Sequence, residues 1–180
     1  HVIAVCDDDG INVKIAAASR KIINQHLGGT LTCTIHIYEP QLCELLKTCE
    51  LAENTSSTFR LNLFNVFERG SQLMLQESQL LTGQTQPQDN SLHFLVIGLG
   101  KFGESLVINS VRSWRKTKPS PDNKIKFTVV DPGADWKVES LCFRYPVLRS
   151  TCEFVTHSIL VQHPKFQSGE LLFSREKICD

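Results

Sequence analysis

The sequence predicts an α/β fold built on a parallel sheet, and three observations predict it. Short apolar runs of strand character alternate with amphipathic helical runs along most of the chain. One such run, residues 92–97, passes through Gly98, Gly100 and Gly103 straight into a helix. Another, residues 125–130, ends at the carboxylate of Asp131. Helices interposed between strands return the chain to the same end of the sheet, so the strands pair in parallel. With 180 residues the chain forms one such domain or two small pieces, either with a real core.

Composition narrows the partners. Lys plus Arg equals Asp plus Glu at 19 each, so no global field draws nucleic acid or an anionic membrane. No apolar run approaches the ~20 residues that cross a bilayer, and no direct membrane insertion is expected. The seven cysteines are scattered, with no CxxC pair and no Cys/His spacing suited to zinc. That pattern points to reduced thiols, a cytoplasmic location and no metal site. The start on an apolar run and the stop at residues 178–180 read as cuts through a longer polypeptide.

In chain order, residues 1–6 make a short strand, and Asp7-Asp8-Asp9-Gly10 follows as a turn whose aspartates suit the start of the next helix. Ile11, Ile15, Ala18 and Ile22, with Ala16, Ile23 and Leu27 on a neighbouring stripe, give that helix a wide apolar face up to a stop at Gly28-Gly29. Residues 30–38 are β-rich, and Glu39-Pro40 opens a second helix to about Cys49. Residues 59–65 alternate as a short edge strand, and a helix covers about 66–81. Residues 82–91, rich in Gln, Gly, Pro and Asn, read as a linker.

Beyond it lie the strand at 92–97, a helix to about Arg115, a polar insert at 116–123 and the strand at 125–130. A helix then occupies residues from 135 to about 149, broken at Tyr145-Pro146, and a strand covers 152–160. His163-Pro164 opens a loop, and residues 169–173 are too short to place.

The glycine turn carries the chemistry. Gly98 permits a tight turn, Gly100 lets a diphosphate approach bare backbone, and Gly103 lets the helix pack closely on the strand. A diphosphate then sits on the free N–H groups of the helix N-terminus, with Lys101 and Phe102 beside it. Asp131 is placed to hold the two ribose hydroxyls of an adenosine, although it lies further downstream than the usual ~20 residues because of the polar insert. Asp7, Asp8 and Asp9 read as helix caps more than as ligands of a cation or a ribose, and Asn12 as a helix-start residue or a ligand contact. His36, His93 and His157, in or beside strands, read as packed or surface residues, and Arg144 as a turn residue more than a phosphate contact. Ser105 stands where a helix begins and has no base in view, so no catalytic residue is expected.

A dinucleotide fold of about six strands carries its glycine turn after the first strand, whereas here the turn arrives in mid-chain. The Val-Ile-Gly-Leu-Gly-Lys-Phe-Gly-Glu-Ser-Leu turn, the Val129-Val130-Asp131 strand end and the Cys6-Asp7-Asp8-Asp9-Gly10-Ile11-Asn12 segment together resemble TrkA-N domains, also called RCK domains, regulators of potassium conductance. Residues 1–81 resemble the back half of one such Rossmann-like domain and residues 92–180 the front half of the next.

The resemblance implies a sheet with helices on both faces, with the two halves pairing into one permuted or swapped sheet and Asp7 to Asn12 near its ligand cleft. It also implies a non-enzymatic cytoplasmic module that binds NAD, NADH or an adenine nucleotide (ATP, ADP or AMP) and gates a potassium channel or transporter membrane subunit, as a homo-oligomer. The implied site is Gly98, Gly100, Lys101, Phe102, Gly103, Asp131, Asp7 and Asn12. Two alternatives stand beside it: a fragment of an NAD-dependent oxidoreductase, and an α/β scaffold with a vestigial site.

Overall fold

The structure, a computed structural model, describes residues 1–25, 29–52, 58–78, 92–117 and 124–169. The chain divides into two compact units, His1–Gly70 and Ser71–Asp180, each with a parallel three-stranded sheet.

The first unit runs β1 (Val2–Ala4), α1 (Asp9–Gln25), β2 (Leu31–His36), α2 (Pro40–Ala52), β3 (Phe59–Phe64) and the start of α3 (Val66–Glu77). The strands lie in the order β1-β2-β3, so β3 is an edge strand, as its alternation predicts. Register aligns Val2, Cys33 and Leu61 in one row and Ala4, Ile35 and Leu63 in the next. These rows share one face because side chains alternate along a strand. Ala16 of α1 and Cys43 of α2 close over that face to form the core. The helix starts follow local chemistry: Asp8 Oδ1 accepts from Ile11 N at 2.8 Å, and Asn65 Oδ1 accepts from Glu68 N at 2.9 Å.

The second unit takes up α3 from Ser71, whose hydroxyl accepts from the Asn109 amide at 2.7 Å. It continues with β4 (Leu92–Ile97), α4 (Lys101–Thr117), β5 (Ile125–Val130), α5 (Ala134–Arg144), α6 (Val147–Thr151), β6 (Cys152–His157) and α7 (Pro164–Gln167). In the order β4-β5-β6, Phe94, Phe127 and Phe154 align in register and their rings stack 5.4 and 5.5 Å apart. Val107, Val111 and Trp114 of α4 and Val138 and Leu141 of α5 bury the same face.

The α/β class, the parallel pairing and the Rossmann-like strand order within each half are as the sequence predicts. Within this chain the described strands form two three-stranded sheets. One detail differs inside each: the two crossover helices share one face instead of lying on both. Strands laid side by side in chain order and joined by right-handed crossovers put every helix on the same side, and only a reversal of strand order moves helices to the other. Neither sheet reverses, so neither contains by itself the switch point where open α/β sheets bind ligands.

At His163-Pro164 the predicted loop is instead the short helix α7, with Pro164 in its first turn and the His163 ring accepting from Lys165 N. The predicted linker at 82–91, Gly28 of the helix stop, insert residues 118–123, residues 170–173 and Cys179 lie outside the described residues. No described helix is long and apolar enough to cross a membrane.

Candidate functional site

The glycine turn is built as its spacing requires. Gly98 sits at φ +87°, a conformation that L side chains avoid, and its N–H donates to Val130 O at 2.8 Å. A Cβ at Gly103 would overlap the carbonyl oxygen of Gly98 and meet Val96 Cγ1 at 3.6 Å, so close helix–strand packing demands glycine there. Around Gly100 the space is open: among the described residues a Cβ would meet nothing within 4 Å. Its carbonyl accepts the helical bond from Glu104 N at 2.8 Å, so the bare backbone stands at the start of α4. Phe102 is exposed and Lys101 half-buried on the first turn.

Leu99, between the first two glycines, is buried, and its N–H donates to Asp131 Oδ2 at 2.9 Å. That bond ties the turn to the end of β5. Asp131 Oδ1 accepts from Gly133 N at 2.8 Å, and the Lys137 ammonium lies 2.7 Å from Oδ1 and 2.8 Å from Oδ2. Burial alone would push the Asp131 carboxyl up, but the hydrogen bonds from Lys137, Gly133 and Leu99 outweigh it and hold it below the ordinary carboxylate range. Glu104 on the first turn of α4 pairs with Arg144 at 2.8 Å. Arg144 therefore has the structural role that sequence favoured.

Next in the chain to Asp131, a cavity of about 530 Å³ opens at the carboxyl ends of β5 and β6, lined by Pro132, Ser158, Ile159, Leu160, Gln162 and His163. Its volume lies in the range of small-molecule sites. The Ser158 and Thr156 hydroxyls both donate to Asp135 and hold its carboxyl below the usual value.

The structure therefore brings Gly98, Gly100, Lys101, Phe102, Gly103 and Asp131 together in the second unit. Asp7 and Asn12 belong to the first. Asp7 is exposed in the loop after β1. Asn12 has no accessible surface: its amide donates to Cys6 O at 2.7 Å and His36 O at 2.9 Å, and its Oδ1 accepts from Cys6 N at 2.9 Å. With both donors and its acceptor used, Asn12 braces the helix start and offers no polar group to a ligand. Asp9 is likewise structural, accepting from Tyr38 N at 2.6 Å and Glu39 N at 3.0 Å where α2 begins. Asn12→Ala leaves three backbone groups without their partner, and urea unfolding followed by circular dichroism should show a loss of about 2–3 kcal/mol in the first unit.

Sequence reasoning missed Lys137, whose partner depends on the turn between β5 and α5. It also missed Asn65, which besides capping α3 donates to Ile37 O and Tyr38 O at 2.8 and 3.0 Å. An asparagine three residues before Glu68 was the available signal. His93 hydrogen-bonds Thr128 at 2.8 Å and His36 packs on Phe64, as their strand positions suggest. Burial raises the thiols of Cys33, Cys43 and Cys142 and pushes Cys152 up to about 12, so these thiols are poor nucleophiles. Among the described residues no group of three or more His, Cys, Asp or Glu is placed to hold a metal ion.

Compared with protein-family models, curated proteins and solved structures, the chain finds no match.

Proposed function

We propose that this chain is a nucleotide-binding regulatory module in which the β4–α4 turn takes the diphosphate of NAD, NADH or an adenine nucleotide. The observation that carries the reading is the division of labour among the three glycines. Gly98 and Gly103 are each required by the turn itself, whereas no described residue requires glycine at position 100, which leaves a gap at the start of a helix. A helix start with accessible backbone N–H groups favours an anion. The cavity beside Pro132 has room for a base.

In this reading the module is cytoplasmic, is not an enzyme and does not insert into a membrane. Ligand binding changes its shape, and a potassium channel or transporter membrane subunit receives that change. The module works as a homo-oligomer. On β4, Leu95 and Ile97 remain 41% and 51% exposed on the face away from the crossover helices, an apolar surface suited to a complementary half-domain of another copy.

Calorimetric titration with NADH, NAD, ATP, ADP and AMP, beside a Gly100→Asp variant, tests the site. Saturable heat in the parent and none in the variant is the expected result. The open space around Gly100 lets the variant fold, so its circular dichroism and melting should stay close to the parent's. Absence of heat and of thermal stabilisation with every nucleotide would sink the proposal. A second reading, an α/β scaffold with a vestigial site, is favoured by one observation: the chain's own donors already occupy the Asp131 carboxylate.

A further inference from the structure

A carboxylate accepts about four hydrogen bonds across its two oxygens, and the chain supplies four to Asp131. Gly133 N–H and Leu99 N–H take one position on each oxygen, at 2.8 and 2.9 Å. Both belong to backbone turns that hold the site together. The other two positions, again one on each oxygen, go to a single group, the Lys137 ammonium at 2.7 and 2.8 Å. A ribose presents two adjacent hydroxyls, and a carboxylate holds them by accepting one on each oxygen. Lys137 therefore stands in the two places that a ribose diol needs.

Lys137 can also leave. Its side chain is 26% exposed against 7% for Asp131, its stem is flexible, and its ammonium lies 5.8 Å from the centre of the exposed Trp136 ring, an aromatic face on the way to water. Leu99 N–H cannot leave without opening the glycine turn, nor Gly133 N–H without opening the turn between β5 and α5.

We propose that Lys137 is a specificity-determining residue of the nucleotide site: it is the built-in competitor for the Asp131 carboxylate, and an unmodified ribose binds by displacing it. This inference rests on the nucleotide reading above. Affinity for a plain ribose is then set by what the carboxylate gains over its own lysine, and the site is held shut in the absence of ligand.

The test is titration of NADH, ADP and NADP into the parent, Lys137→Met and Lys137→Gln, with the melting temperature of each protein recorded. Removing the competitor should tighten NADH and ADP about tenfold in Lys137→Met, equivalent to about 1.4 kcal/mol, while the unliganded variant melts lower than the parent. Lys137→Gln, which keeps a neutral donor, should fall between and carries the test alone if Lys137→Met does not fold. A residue that only supports the fold would lower stability and leave affinity unchanged or weaker, and that result overturns the proposal. Tighter binding of NADP than NADH by the parent, lost in Lys137→Met, would make Lys137 a phosphate ligand and also overturns it. No binding by any of the three proteins overturns both this proposal and the nucleotide site, whereas binding that is equal in all three overturns this one alone.

Discussion

Asp131→Ala is expected to lower the stability of the second unit by about 3 kcal/mol. The buried Leu99 N–H loses its acceptor, Gly133 N–H loses its own, and the Lys137 ammonium is left without its counter-charge. Leu99 accounts for most of the cost, because the other two donors reach water more readily. Both tryptophans, Trp114 and Trp136, lie in the second unit, so urea unfolding followed by their emission reports on it directly. A midpoint shift worth less than about 0.5 kcal/mol would show that the carboxylate does not hold the turn.

The same group sets a pH dependence of known sign. Its folded-state pKa is depressed, so the folded form releases its proton more readily than the unfolded chain does. The stabilisation is complete above the ordinary aspartate value of about 3.9. It is lost as pH falls through the lower folded-state value. Acid unfolding of Asp131→Ala should lack this contribution, so its stability should fall less steeply than the parent's below about pH 4.

Gly103→Ala has the second large effect, about 2–3 kcal/mol. The added methyl meets the backbone carbonyl of Gly98, which no rotamer change can move aside, so α4 must separate from β4 or the turn must distort. Gly100→Ala is the matched control: it adds the same methyl three residues earlier into open space and should change stability by less than about 0.5 kcal/mol. Equal effects at the two positions, read by the same tryptophan emission, would refute the division of labour among the glycines. A distorted turn would also lose the Leu99 bond to Asp131, so the cost of Gly103→Ala should be smaller in an Asp131→Ala background.

Much of this was legible in the sequence. The strands at 92–97 and 125–130 fall on the residues their apolar runs mark, because each is bounded by residues that break or turn the chain. The break between α5 and α6 falls at Tyr145-Pro146, since proline ends a preceding helix. His163-Pro164 misled because proline both interrupts helices and starts them, and the backbone bonds from Gln167 N to His163 O and from Ser168 N to Pro164 O, with the bond from Lys165 N to the His163 ring, show that it starts one here. Asn12 stayed open between two roles because a local pattern does not report burial. Its partner His36 O lies 24 residues away.

The sequence by itself determined the alternation of elements, the parallel class and the three-glycine turn. These follow from interactions within a few residues: periodicity, proline and glycine backbone preferences, and the room that one Cβ needs. Only the tertiary structure decided that the strands form two sheets, that both crossovers of each sheet share a face, and that Asp131 is already engaged. Each of those depends on which distant segment supplies the partner, as when Leu99 N–H meets a carboxylate 32 residues on. A strand carries the same donors and acceptors whichever neighbour it meets, so its pairing is settled by the packing of the whole unit.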